Sequence, residues 1–181
     1  MFGRLARTVT PQPLLALAPR PAAVLPTRLD RDDIVLVLVG VSDPGNVGTL
    51  VRVADAVAAV AVVSVGGADP FGPKAVRASA GSVLRVPVVT GHDARSVIGS
   101  LRDAGATVVA TDPHGGAPHD TGVLRPPLAI VLGSEPRGLD PDVASACTTR
   151  VRIDLPGRAE SLNVAMAGTL LAVEAHRNRG G

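Results

Sequence analysis

Aromatic residues are almost missing from this 181-residue chain, which has two Phe and neither Trp nor Tyr. A nucleic-acid surface that works by stacking bases on rings is thereby excluded, and the core has to be assembled from Val, Leu, Ala and Ile. Cysteine occurs once, as Cys147, so neither an intrachain disulfide nor a multi-cysteine zinc site can form. The four His have no metal-ligand spacing. His114 and His119 stand in a Gly- and Pro-rich stretch where solvated side chains are the rule, and no metal is expected. No apolar run approaches the ~20 residues of a membrane-spanning helix, so no membrane partner is expected. Lysine is nearly absent as well, with Lys74 alone among 18 basic residues. Arginine's planar fork suits bidentate phosphate contacts. A net charge of +2 does not by itself separate a phosphate-binding surface from an ordinary solvated one.

What is present supports one domain with a sizeable core: 46% of residues are apolar and 19% charged. Residues 1–29 stand apart. Pro11, Pro13, Pro19, Pro21 and Pro26 break any helix, and Arg4, Arg7, Arg20 and Arg28 precede the first acid, Asp30. This segment reads as a flexible leader, with an Arg-rich, acid-poor transit peptide as the alternative. Residues 30–181 read as the functional domain. Ile34–Gly40, Val60–Val65, Leu84–Val89, Thr107–Ala110, Leu128–Leu132 and Thr149–Ile153 are strand-like. The apolar runs among them suit strands buried on both faces. Helices are expected over Asn46–Ala58, Pro73–Ala80, Asp93–Ala104 and Glu160–His176. The alternation predicts an α/β fold with a mostly parallel sheet flanked by helices, whose ligands bind at the carboxyl ends of strands. The last helix is apolar on nearly every face, so it packs under its own sheet or against a second subunit.

Three loops at such strand ends carry candidate chemistry. In Ser42-Asp43-Pro44-Gly45-Asn46-Val47-Gly48-Thr49-Leu50-Val51-Arg52, Asn46 is either a helix cap or part of an anion site that also uses Arg52. In Leu132-Gly133-Ser134-Glu135-Pro136-Arg137-Gly138-Leu139, two glycines allow close backbone approach around Glu135. That carboxylate is either solvated, as loop Glu usually is, or holds a cation or hydroxyl. In Ile153-Asp154-Leu155-Pro156-Gly157-Arg158-Ala159-Glu160-Ser161-Leu162-Asn163-Val164, a tight turn leads to Ser161 and Asn163 at the mouth of the last helix, where both are either caps or ligand contacts. Neither the dinucleotide fingerprint nor a phosphate-binding Walker string occurs, and G-x-S-x-G is absent.

Together, in this order and spacing, the three strings resemble the three motifs of the SpoU/TrmH branch of the SPOUT superfamily. Arg77-Ala78-Ser79-Ala80-Gly81-Ser82, followed by Leu84 and Pro87, is similar too, and the resemblance covers about residues 33–178. It implies an S-adenosylmethionine-dependent RNA methyltransferase acting on a ribose 2′-hydroxyl, with ribosomal RNA favoured over transfer RNA as substrate. It further implies a C-terminal trefoil knot and a cytoplasmic homodimer. By the same resemblance the catalytic positions are Arg52, Asn46, Glu135, Ser161 and Asn163. Thr111, Leu132, Gly133, Glu135, Gly138, Ile153, Leu155, Ser161 and Leu162 would hold the methyl donor. Arg52 is the family's proposed base. A guanidinium is costly to deprotonate, so gripping a phosphate or stabilising a developing alkoxide are the alternative roles. A non-catalytic RNA-binding protein that keeps the fold is the competing reading. Ser134 stands where the family often has Asn, and Pro136 stiffens the same loop. With so few rings, RNA binding should rest on phosphate contacts and depend strongly on salt.

Overall fold

Alternate residues of the first strand, β1 (Ile34–Val39), point into two different cores. Ile34, Leu36 and Leu38 join one buried cluster, Val35 and Val37 the other, which is why the strand is apolar at every position. The computed structural model describes residues 16–134 and 138–180. Among them six further strands follow: β2 (Ala61–Val65), β3 (Val88–Thr90), β4 (Thr107–Thr111), β5 (Ala117–Pro118), β6 (Leu128–Leu132) and β7 (Thr149–Arg152). The sheet order is β3-β2-β1-β6-β4-β7-β5, and every neighbouring pair is parallel. The expected α/β architecture with a parallel, helix-flanked sheet is therefore what the chain adopts.

Helices α1 (Pro44–Ala56), α2 (Pro73–Ala78), α3 (Ala94–Asp103), α4 (Pro141–Ala146) and α5 (Val164–Arg177) cover the sheet. Leu50, Val51 and Ala54 of α1 share the first core with Leu171, Ala172 and Ala175 of α5. The other core is closed by α3, which buries Ala94, Val97, Ile98 and Leu101 at helical spacing. After β7 the chain turns back past β4, and α5 lies on α1, β6 and β1. Gly168 permits that approach: a Cβ there would stand 2.4 Å from Leu50 Cδ2 and 2.8 Å from Leu132 Cδ1.

Several boundaries differ from the sequence-based expectation, each for a local reason. Helix α1 starts two residues early because Asp43, not Asn46, caps it. The Asp43 carboxylate accepts from the Gly45 and Asn46 amides, and Pro44 takes the first helical position. It stops at Ala56 because Ala58 adopts a left-handed φ of 50°. The strand expected over 84–89 shortens to Val88–Thr90, since a 3-10 turn occupies Ser82–Leu84. Helix α5 begins at Val164 rather than at 160. Asn163 is its cap and accepts from the amides of Ala165 (2.9 Å) and Met166 (3.3 Å). Both β5 and α4 were unexpected. The first is two residues long, one of them Pro, at the sheet edge, where Pro is tolerated.

Residues 16–29 form no helix or strand. Arg20 lies with its guanidinium carbon 3.9 Å from the centroid of Phe71 and donates to Thr90 Oγ1 at 2.9 Å, and the Leu29 amide donates to the Ala104 carbonyl. No helix among the described residues is long and apolar enough to cross a membrane.

Candidate active site

The carboxyl ends of β4, β6 and β7 open into a cavity closed from one side by the start of α5. It encloses about 740 Å³, open solvent at its mouth included. Eight of the nine residues expected to hold a methyl donor line it: Thr111 from β4, Leu132, Gly133 and Gly138 from β6 and its loop, Ile153 and Leu155 beyond β7, and Ser161 and Leu162 before α5. The ninth, Glu135, lies outside the described residues. The shortening of α5 explains why Ser161 and Leu162 reach the cavity: they belong to the loop that runs along it, not to the helix.

Backbone shapes one wall. The amide of Ser134 donates to the Gly138 carbonyl (3.1 Å) and the amide of Gly138 to the Ser134 carbonyl (2.8 Å), closing the loop after β6 on itself. A Cβ on Gly133 would lie 2.3 Å from the Gly138 carbonyl carbon, so only glycine lets the two strands of that loop touch. Thr111 is fixed by a hydrogen bond from its hydroxyl to the Val131 carbonyl, 3.0 Å away. Leu132, Ile153, Leu155, Leu162 and Leu171 make the rest of the lining largely apolar. Ion pairs hold the rim: Arg150 with Asp112 at 3.3 Å, and Arg152 with Asp154 at 2.7 Å, Arg152 also donating to the Gly116 carbonyl. Sequence reasoning missed Ser134, Arg152 and Glu160, which line the cavity too. An adjoining hollow of about 950 Å³, open to solvent, adds His114, Leu139, Pro141, Ala144 and Arg150.

Asn46 and Asn163 meet although 117 residues separate them: Asn163 Nδ2 donates to Asn46 Oδ1 at 3.2 Å. Because Asn163 Oδ1 is occupied by the first amides of α5, its amide group is held in one orientation and ties the first motif to the third. Arg52 is not part of the cavity lining. It sits six residues beyond Asn46 on α1, about 9 Å along the helix axis, exposed. Two neighbouring carboxylates are engaged elsewhere. The hydrogen bond from Lys74, at 3.0 Å, and then those from the Gly45 and Asn46 amides hold Asp43 below the usual carboxylate range. Arg85 and then Ser82 do the same for Asp55. Burial pushes the Cys147 thiol up to about 11, which leaves it a poor nucleophile. Among the described residues no group of three or more His, Cys, Asp or Glu is placed to hold a metal ion.

This arrangement has close counterparts. A 23S rRNA (guanosine(2553)-2′-O)-methyltransferase of Bacillus subtilis is 35% identical over 171 residues, covering 94% of this chain and 67% of its own length. A 23S rRNA (uridine(2479)-2′-O)-methyltransferase of Streptomyces viridochromogenes is 34% identical over 176 residues, 93% of this chain and 61% of that protein. The crystal structure of an AdoMet-bound rRNA methyltransferase from Sinorhizobium meliloti superposes with a TM-score of 0.81 at 34% identity, over 90% of this chain and 62% of that one. The chain thus spans about three-fifths to two-thirds of the length of these relatives. The sequence profile of the SpoU rRNA Methylase family matches residues 33–173, a stretch that holds β1, the three motif loops and most of α5. With that profile covering most of the chain and the same fold in a donor-bound relative, the chain belongs to the SpoU rRNA methylase family.

Proposed function

We propose that this chain is the catalytic domain of an S-adenosylmethionine-dependent RNA methyltransferase that modifies a ribose 2′-hydroxyl, with ribosomal RNA as substrate. The observation that carries this reading is that the second and third motif segments line a single cavity, with the first tied to the third through the Asn163–Asn46 hydrogen bond. The named rRNA 2′-O-methyltransferases among the relatives support the substrate class.

The residues present fit the donor. An apolar slot edged by exposed backbone suits a nucleoside, and the tight contact at Gly133 leaves the loop backbone bare where a side chain would otherwise intrude. When bound, S-adenosylmethionine supplies an electrophilic methyl group on sulfur. Leu132, Leu155 and Leu162, with the loop closed by Ser134 and Gly138, would hold the donor and exclude water from it. The ribose hydroxyl must be positioned and relieved of its proton. Ser161 orients that hydroxyl, and the Asn46–Asn163 pair keeps the two motif loops in register. Arg52 grips the phosphate beside the target ribose or stabilises the oxygen as charge develops on it, with Glu135 as the orienting carboxylate. The proposed catalytic domain is residues 30–181, with 1–29 the Pro- and Arg-rich segment before it.

A homodimer belongs to the same proposal. Met166, Leu170 and Val173 recur along one stripe of α5 and are 61%, 47% and 44% exposed, while Ala167 and Leu171 between them line the cavity. A second copy covering that stripe stands beside the mouth of the cavity. The return of α5 over β6 and α1 supports the expected knot. Calorimetric titration of S-adenosylmethionine and S-adenosylhomocysteine tests the cofactor, with one site per chain expected. Tritiated-methyl transfer to unmodified 23S rRNA tests the reaction. A folded protein that binds neither nucleoside overturns the reading.

A further inference from the structure

The segment Arg77–Ser82, with Arg85 after it, matches the family but lies outside the cavity. Its contacts run to α1. Ser82, 1% exposed, donates through Oγ to Asp55 Oδ2 at 2.8 Å. Arg85 donates to the same oxygen through Nε at 3.0 Å and again through Nη2, which also donates to Ser82 Oγ at 3.1 Å. Asp55 is three residues after Arg52 on α1, and residues so spaced are neighbours on a helix surface, close enough for a carboxylate to pair with a guanidinium. Yet Arg52 makes no ion pair among the described residues.

We infer that Arg85 and Ser82 are positioning residues that sequester the Asp55 carboxylate and so keep it from capturing the Arg52 guanidinium in place of the RNA. Left unheld, Asp55 is the nearest anion along the helix and competes with a phosphate or a developing alkoxide for Arg52. Arg85 is itself spent on Asp55 and Ser82 through two of its nitrogens, so it serves this role and not that of a second phosphate contact. The inference rests on the role given to Arg52 above.

The test measures methyl transfer to unmodified 23S rRNA by the full chain carrying R85A, R85K, R85A/D55N or R52A. R85A should lower kcat/KM about fivefold, the ceiling for capture of Arg52 by an exposed carboxylate. R85K should stay near the wild type, and adding D55N to R85A should restore activity by removing the competitor. R85A at the wild-type rate overturns the inference, and so does a loss that D55N fails to restore, which means a structural prop only. If R85A does not fold, R85Q carries the same comparison. R52A at wild-type rates sinks the role of Arg52 itself, whereas an inactive R52A beside a silent R85A sinks only the sequestration. An activity-independent readout is the Arg52 Nε–H resonance. In R85A it should shift as Asp55 titrates, and much less in the wild type; equal shifts in both overturn the inference.

Discussion

The cavity beneath α5 and the solvent face of α1 meet at one hydrogen bond, from Asn163 to Asn46, and otherwise are built from different materials. The cavity is walled mainly by leucines, an isoleucine and the backbone of a glycine loop, with Asp112, Arg152 and Glu160 also in its lining. Helix α1 and its cap carry charge instead: Asp43 at the cap, paired with Lys74, and in the later turns Arg52 and Asp55, the latter held by Arg85. A largely apolar slot with bare backbone selects a ligand mainly by shape and responds less to salt. An exposed charged face selects a polyanion, and its affinity falls as counterions compete. Donor and RNA should therefore be separable by mutation and by ionic strength.

Removing Arg52 gives the largest separation. Arg52→Ala should reduce transfer by about 10²- to 10³-fold, as loss of a charge-stabilising donor does elsewhere, while calorimetry finds donor affinity unchanged. Arg52→Lys keeps the charge but not the planar fork, and should recover only part of the rate. RNA affinity should fall steeply between low and moderate salt while donor affinity does not. Parallel losses of donor and RNA binding in Arg52→Ala would erase the distinction between the two regions.

Gly133→Ala attacks the other side. Its Cβ would be placed 2.3 Å from a backbone carbon that cannot rotate away, so the loop must shift at a cost of about 1–3 kcal/mol. Donor affinity should fall roughly tenfold or more with the salt dependence of RNA binding intact. Gly168→Ala is the control, since its conflicts are with the ends of the Leu50 and Leu132 side chains; a milder loss than at Gly133 is expected.

How far these two regions were legible beforehand follows from the range of the forces that make them. Strands β1 and β6 were plain in sequence because burial on both faces demands an apolar residue at every position, and Leu128–Leu132 was placed to the residue. That eight of the residues expected to hold the donor would line one cavity was legible because the motif strings end strands whose carboxyl ends converge in a parallel sheet. The start of α5 was misplaced because Glu160–Leu162 has acceptable helical composition; only the capping geometry of Asn163 shows that the helix begins after it. Asp43-Pro44 was a readable cap signal that Asn46 obscured. The Asn46–Asn163 bond and the Asp55–Arg85 pair span 117 and 30 residues, and no local pattern encodes contacts of that kind. That Arg52 lies off the cavity lining likewise follows only from how α1 packs.

The joint between the regions gives a smaller effect. Asn163→Ala loses the α5 cap, worth about 1 kcal/mol, which for a chain of this length lowers Tm by about 2–4 °C. Asn163→Asp keeps the capping acceptor and loses the donor to Asn46. It should hold its Tm and still transfer methyl groups more slowly. Equal transfer by Asn163→Asp and the wild type would mean that the Asn46 contact has no part in the reaction.

The smallest effect is electrostatic and falls on α1 alone. Asp43 and Asp55 are both held below the ordinary carboxylate range, by Lys74 and Arg85 first and by hydrogen-bond donors after them. A carboxyl whose folded pKa is depressed binds its proton more readily in the unfolded chain. Its contribution is complete above the unfolded value, near 4, and is lost as pH falls through the lower folded value. Urea unfolding followed from pH 6 down to pH 2 should show stability declining below about pH 4, with the decline shallower in Asp43→Asn and Asp55→Asn. Because both groups are solvent-exposed, each difference should be small. The cavity has carboxylates of its own, Asp112 and Glu160, so the α1 pairs are isolated by comparing variants: S-adenosylhomocysteine affinity should be the same in Asp43→Asn, Asp55→Asn and the wild type at each pH. A donor affinity that changed in either variant would show that the charged pairs of α1 also shape the cavity.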